Sequence, residues 1–500
     1  MKNEDNNISR RGFLKRLGLG TMATAIVASG CKNDQHEAST DTQGATTAAN
    51  VPDSGMTYRT NPKTNDRVSL LGYGCMRLPT ISNTSARESD DEIDQEQVNR
   101  LVDYAIEHGV NLYDTSPAYC KGFSEKAMGI ALSRYPREKY FLSTKLSNFA
   151  ESTWSREESI KMYRNSLKEL KTDYLDYYLL HSIGGSNDKL GLSSTDLLRR
   201  RYFDNGMVDY LVKERESGRI RNLGFSFHGD IKIFDYMLSL HDKYHWDFVL
   251  IQLNYIDWKR TPDIEPRNVN ANYLYTELQK RGIPVFIMEP LLGGRLANLP
   301  DAIVEKLKTR EPHRSVASWA FRFAGTHEGV LTVLSGMTYM EHLQDNLRTY
   351  MPLKPITEEE HNFLMDTAEL IRKYPTISCN DCKYCMPCPY GLDIPAILLH
   401  YNKCVNEGNV STGKQDPNYE EARQAFLVGY DRSVPKLRQA DHCIGCGVCI
   451  SHCPQGIIIP QEMRRINKYV EELKQSRPSP IKHNPNHKER HGHHRHNGAK

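Results

Sequence analysis

Four side chains of complementary proton chemistry follow one another through the first half of the chain. Asp114 and Tyr119 lie in NLYDTSPAY (residues 111–119), Lys145 in FLSTKL (141–146) and His181 in YLDYYLLH (174–181). Each comes at or just beyond the end of a short apolar run, where a strand gives way to a polar loop. Such a set suits the reduction of a carbonyl, which needs electrons at carbon and a proton at oxygen. A tyrosine hydroxyl is a poor acid near neutral pH unless a neighbouring cation stabilises its anion. Lys145 would be that cation and Asp114 its anchor, while His181 would donate a hydrogen bond to the substrate oxygen. A lone histidine closing an apolar strand is ordinarily a core residue; four compatible groups at equivalent positions tip the balance toward chemistry.

A second set is built from sulfur. Of twelve cysteines, eight fall into two runs: Cys379, Cys382, Cys385 and Cys388, then Cys443, Cys446, Cys449 and Cys453, each run followed by proline. The second run has the bacterial ferredoxin spacing, in which three cysteines hold one [4Fe–4S] cluster and the fourth reaches its neighbour. By that rule Cys379, Cys382, Cys385 and Cys453 hold one cluster, and Cys443, Cys446, Cys449 and Cys388 the other. The first run is one residue short before its last cysteine, which loosens the rule there. Zinc takes four ligands in two pairs and disulfides suit an exported chain, but neither accounts for two such runs. Isolated Cys404 reads as structural, and Cys75 and Cys120 as small apolar fillers near the active-site rim.

Elements must position both sets. At 500 residues, two or more domains are expected. With 39% hydrophobic and 25% charged residues and a formal net charge of +3, the composition is that of a globular chain. It carries no basic excess of the kind nucleic-acid binding needs. Short apolar runs at 69–75, 110–115, 140–145, 175–181, 222–226, 248–254, 284–289 and 330–335 alternate with helical stretches. Most lack strict alternation, as strands buried on both faces of a parallel sheet should. Among the helices, 95–107 gathers Val98, Leu101, Val102, Ala105 and Ile106 on one face, 155–170 opens with Ser155 three residues before Glu158, and Gly109 and Gly282 fall at expected C-caps. Eight such units predict an α/β fold, a (β/α)8 TIM barrel over 56–350. A doubly wound open sheet is the alternative, weakened because Gly72-Tyr73-Gly74 lacks the third glycine of a dinucleotide fingerprint. A small ferredoxin-like iron–sulfur domain is expected over 351–475, with helices at 358–373 and 461–474 and helical linking material over 403–437.

The barrel region, about 60–350, resembles the aldo/keto reductase family. DTSPAY, STKL and YYLLH carry its tetrad at Asp114, Tyr119, Lys145 and His181. The resemblance further implies a nicotinamide cofactor, NADPH or NADH, held by Ser226 in GFS, Gln252 in IQLNY, Met288 in FIMEPLLGG, Gly336 in LSGMTYMEHLQDN and Asn346 in its closing motif. Met288 stands where the family commonly has an aromatic ring, and residues 336–342 lack the basic side chains that usually grip the 2′-phosphate of NADPH, His342 alone being able to carry part of a charge. Arg295 is a partial substitute or a surface residue. The whole is similar to a subset of that family with a C-terminal ferredoxin-like domain. Substrate contacts would come from variable loops, 183–201 among them.

The ends speak of location. Ser9-Arg10-Arg11-Gly12-Phe13-Leu14-Lys15 and the apolar run after it resemble a twin-arginine export signal, assigned to 1–31; the run is too short to span a bilayer. Cys31 follows a degenerate lipoprotein box and is a candidate lipid anchor. Residues 32–55 read as a disordered tether and 476–500, with six histidines from His483 to His496, as a disordered tail. The expectation is an exported protein, periplasmic or membrane-anchored, that reduces a small-molecule carbonyl such as an aldehyde, ketone or quinone. Its hydride would come from a nicotinamide, and two clusters would relay electrons to or from a redox partner protein. The alternative is an exported electron-transfer or redox-sensing protein that keeps the barrel as a scaffold.

Overall fold

The computed structural model describes residues 55–86, 91–187, 190–259, 270–411 and 413–475. The export signal, the tether up to residue 54, Cys31 and the His-rich tail lie outside the described residues.

Eight parallel strands close into a barrel: β3 (Leu71–Gly74), β4 (Leu112–Asp114), β5 (Phe141–Leu146), β6 (Leu175–Ile183), β7 (Ile220–Phe227), β8 (Phe248–Gln252), β9 (Val285–Met288) and β10 (Val330–Ser335) pair in that order, and β10 returns to β3. All eight fall on the runs expected from the sequence, with ends shifted by up to two residues. The expected helices are present at Gln95–Glu107, where Asp94 accepts from the Gln97 amide, and at Arg156–Glu169, capped by Ser155. Gly109 and Gly282 take the left-handed conformation just past their helices, at φ 86° and 64°.

Side chains alternate along each strand, and the two faces build two cores. Outward residues such as Tyr113, Leu142, Tyr178, Leu180, Val249 and Ile287 pack against the helices. Inward residues Leu112, Tyr177, Leu179, Phe248, Leu250 and Phe286 fill the lower barrel. The next inward position on those strands is Asp114, His181, Gln252 and Met288 respectively, and on β5 the inward series Phe141, Ser143 ends at Lys145. The polar site is therefore the layer stacked directly on the apolar plug.

An antiparallel hairpin absent from the sequence reading, β1 (Tyr58–Thr60) with β2 (Arg67–Ser69), closes the opposite end. Its Val68 joins the inner core, and Asn61 donates to the Tyr177 hydroxyl at 3.2 Å.

The helix Glu358–Arg372 begins with a complete capping box, Thr357 with Glu360. By sequence position it belongs with the C-terminal part, but in the structure Leu364, Ala368 and Ile371 pack into the barrel's outer core, and Arg322 donates to Glu360 at 2.7 Å. Beyond it, helices Ile394–Asn406, Tyr419–Ser433 and Ile459–Gln475 enclose a separate apolar core with Phe426, Met463 and Ile466 at its centre. Among the described residues this part contains no strand.

Candidate active site

Asp114 ends β4, and the turn that follows brings Tyr119 back over the barrel mouth. That return is tight: Cys120 and Lys121 both sit at positive φ, 49° and 55°. Lys145, wholly buried, donates from Nζ to Asp114 Oδ1 and, at 2.8 Å, to the Thr115 carbonyl. Ser143 Oγ donates to the other Asp114 oxygen at 2.7 Å. Both carboxylate oxygens are thus committed, which a buried charge requires. The Lys145 ammonium lies 4.7 Å from the centre of the Tyr119 ring, and the Tyr119 and His181 rings meet edge to face at 5.9 Å. All four residues expected to form the tetrad stand together at one end of the barrel.

Residues the sequence did not single out fix the histidine. Ser147 Oγ is 2.6 Å from His181 Nδ1 and 2.8 Å from Ser116 Oγ, which accepts from the Ala118 amide at 3.0 Å. With Ala118 N–H donating to Ser116, the hydroxyl contacts can run from Ser116 through Ser147 to Nδ1, an order that leaves the imidazole proton on Nε2. Burial, reinforced by the Lys145 charge, holds the imidazole pKa well below the usual histidine range, so it is neutral. From behind, buried Arg201 donates to the His181 carbonyl at 2.8 Å, and Tyr202 OH donates to it at 2.9 Å. Arg201 ends the loop expected to contact substrate; it braces the histidine instead.

The remaining expected contacts ring the same mouth. Ser226 Oγ accepts from the Ser182 amide at 2.7 Å. Met288 is half-buried over the inner core. Asn346 donates to Ser335 Oγ at 3.0 Å, and Gly336 follows directly, with the Arg77 side chain packed where a Cβ would project. Gln252 is 7% exposed: its Nε2 donates to Asp257 at 2.6 Å, and its Oε1 accepts from Gln455 at 3.1 Å.

Gln455 belongs to the cysteine-rich part, which roofs the barrel. Arg77 donates to the Asn380 carbonyl at 3.2 Å and pairs with Asp381 at 3.6 Å. Gly293, at φ 67°, touches the Asn380 backbone so closely that a Cβ there would come within 2.2 Å of its carbonyl oxygen. Arg295 donates to Thr376 at 3.0 Å. Tyr384 meets Phe149 at 5.9 Å, and Phe149 meets His181 at 4.9 Å. The residues expected to hold a nicotinamide are of suitable type; as folded, Gln252 bonds Gln455 of the roof, and Gly336 lies under Arg77, which is itself held by Asn380 and Asp381. Along the same seam runs a cavity of about 320 Å³, lined by Asp257, Arg295, Tyr374, Asn402 and Gln455 among others, and by none of the tetrad.

The eight cluster cysteines fall into two groups. Cys385 lies near Cys382, Cys379 and Cys453, with Cys449 next, and Cys449 lies near Cys446, Cys443 and Cys388. Cys379, Cys382, Cys385 and Cys453 line one small cavity with Leu398 and Ile457. This is the crossed grouping expected from the ferredoxin spacing. Burial pushes the Cys379 thiol up to about 12 and Cys449 to about 11. Thiols so placed become thiolates when a metal takes the proton's place, so the set fits iron–sulfur ligation. Among the described residues no three His, Cys, Asp or Glu side chains converge on a single-ion site. Cys404 is buried 3.5 Å from His400 Nε2, away from both groups, and Cys75 and Cys120 are buried beneath the mouth.

Comparison with known proteins agrees with both halves. The sequence model of the aldo/keto reductase family matches residues 70–367, and that of a 4Fe-4S dicluster domain matches 378–458. An L-galactose dehydrogenase from Arabidopsis thaliana is 24% identical over 310 residues, 58% of this chain and 86% of its own. A methylglyoxal reductase, YeaE, from Escherichia coli (strain K12) is 26% identical over 292 residues, 55% of this chain and 86% of its own. Among solved structures, the holo form of the aldo-keto reductase AKR11C1 from Bacillus halodurans superposes with a TM-score of 0.48 at 22% identity, covering 62% of this chain and 96% of that one.

Proposed function

The chain belongs to the aldo/keto reductase family and carries a 4Fe-4S dicluster domain, and from that premise we propose that it interconverts a carbonyl and an alcohol on a small molecule. The observation that carries this reading is the buried Lys145–Asp114 pair set against the Tyr119 ring, with neutral His181 across the same mouth. Tyr119 gives its proton to the substrate oxygen as charge develops there. Lys145, anchored by Asp114, stabilises the phenolate left behind. His181 donates from Nε2 to the same oxygen and orients it. The names of the two relatives, a dehydrogenase of a sugar and a reductase of methylglyoxal, describe opposite directions of this conversion and favour a small, oxygen-rich substrate.

The family implies NADPH or NADH, which when bound supplies a hydride. The two groups of cysteines would hold two [4Fe–4S] clusters, which when bound supply single-electron transfer; a redox partner protein would be their counterpart. The likeness of residues 9–15 to a twin-arginine signal supports an exported protein, periplasmic or anchored at Cys31. A second reading, in which electrons enter only through the cluster domain and no nicotinamide turns over, is favoured by the engagement of Gln252 with Gln455.

The test is an anaerobic screen of aldehydes, ketones and quinones with the cluster-loaded protein. Electrons are supplied either by NADPH and NADH or by a reduced low-potential dye. Turnover abolished by Tyr119→Phe with either donor supports the reductase reading, and the productive donor separates the two electron routes. Turnover indifferent to Tyr119→Phe overturns it.

A further inference from the structure

In barrels of this type the mouth is built from loops after the strands, and phosphate groups are commonly held by the loops after the seventh and eighth. Here those two loops are already in contact with another part of the same chain. After β9, Gly293 lies against the Asn380 backbone; after β10, Gly336 lies under Arg77, whose guanidinium is held by the Asn380 carbonyl and Asp381. On the other side of β9, at the end of β8, Gln252 spends its carbonyl oxygen on Gln455 and its amide on Asp257. Three separate points at the ends of β8, β9 and β10 are thus engaged by two short segments, one containing Cys379 and the other following Cys453.

We propose that Asn380, Asp381 and Gln455 are an intramolecular competitor for the nicotinamide seat: they determine dinucleotide affinity, and a dinucleotide and the docked roof exclude one another. The chemistry of the contacts supports competition. Gln455 offers Gln252 a primary carboxamide, the same group that a nicotinamide ring carries. Asp381 presents a carboxylate to Arg77 beside Gly336, on the side where a phosphate would seek a cation. Gly293 allows the approach because it has no Cβ, and its left-handed backbone is one that other residues rarely adopt.

The inference takes from the proposed function only the location of the mouth. Loss of carbonyl turnover with every donor would remove the reductase reading and leave the competition to be judged by binding alone. The experiment is calorimetric titration of the cluster-loaded full chain with NADPH and with NADH, in wild type and in Gln455→Ala with Asp381→Ala, cluster absorbance serving as the check on folding. Wild type should bind weakly, with half-saturation above about 1 mM, the upper end of the range in which enzymes usually take their substrates. The double variant should bind at least tenfold more tightly. Hydrogen exchange on wild type gives a second readout that needs no variant: at saturating dinucleotide the amides of Asn380 and Asp381 should lose protection. Micromolar binding to wild type with that protection unchanged, or equal affinities in the two proteins, would overturn the proposal.

Discussion

Ser147 Oγ stands 2.6 Å from His181 Nδ1. This contact occupies Nδ1 and leaves Nε2 as the nitrogen available to a substrate oxygen. Ser147→Ala should lower kcat/KM by roughly tenfold, about 1.4 kcal/mol of transition-state stabilisation. Ser147→Thr, which keeps the hydroxyl, should recover most of it. Steady-state rates on the best carbonyl from the screen, with cluster absorbance unchanged in both variants, are the measurement. Equal rates in wild type and Ser147→Ala would dismiss the tautomer argument.

Lys145 and Asp114 are both buried and satisfy one another. Removing one partner strands the other charge, so Lys145→Met should destabilise the fold by about 3–5 kcal/mol. Adding Asp114→Asn to that variant should restore part of the loss, because the stranded carboxylate is gone. Denaturant midpoints of the two single variants and the double variant give the coupling directly. Additive losses would mean that the pair is not coupled.

Glu125 lies behind the tetrad, accepting from Thr144 Oγ1 at 2.6 Å, and burial raises its carboxyl from 4.5 to about 7. Between those values the folded chain keeps a proton that the unfolded chain has released. The contribution is therefore intact below pH 4.5 and lost as pH climbs through the window to about 7, by roughly 3 kcal/mol in all. Glu125→Gln should flatten the slope of stability against pH over that range. An unchanged slope in urea unfolding would show that Glu125 does not titrate there.

A methyl group at position 293 would collide with the Asn380 carbonyl and strain a left-handed residue. Gly293→Ala should cost at least about 1–2 kcal/mol and should loosen the segment that carries Cys379. The readout is the rate at which the visible iron–sulfur absorbance bleaches in the presence of a chelator. Bleaching as slow as in wild type would place the cysteine loop beyond the influence of the barrel.

The crossed cysteine grouping predicts which cluster each variant loses. Iron analysis should give about eight atoms per chain, four for each cluster. Cys453→Ser should disturb the cluster held with Cys379, Cys382 and Cys385, and Cys388→Ser the one held with Cys443, Cys446 and Cys449. Cys404→Ser should disturb neither. Electron paramagnetic resonance on the reduced variants distinguishes the two cases, and identical residual signals from Cys453→Ser and Cys388→Ser would rule out the crossing.

The barrel was legible because its strands are apolar runs bounded by helices with strong caps, and the tetrad because each member ends such a run. The hairpin β1–β2 was not, since two three-residue strands leave no periodicity to detect. Ser116 and Ser147, in loops, and Arg201, in the short helix Arg199–Phe203, escaped for another reason: none has a spacing that separates a brace from a surface residue. Gln455 was hidden by its neighbourhood, two residues past Cys453 in a motif whose cysteines draw the eye. Its partner Gln252 was found, but only for a different role. Such contacts join residues some two hundred positions apart, and local pattern carries no trace of them.

Tyr384 lies between Cys382 and Cys385 and reaches Phe149, which in turn covers His181. One wall beside His181 is thus supplied by the cysteine-bearing loop. A substitution in that loop would therefore be felt beside the tetrad, although none of its residues belongs to the barrel.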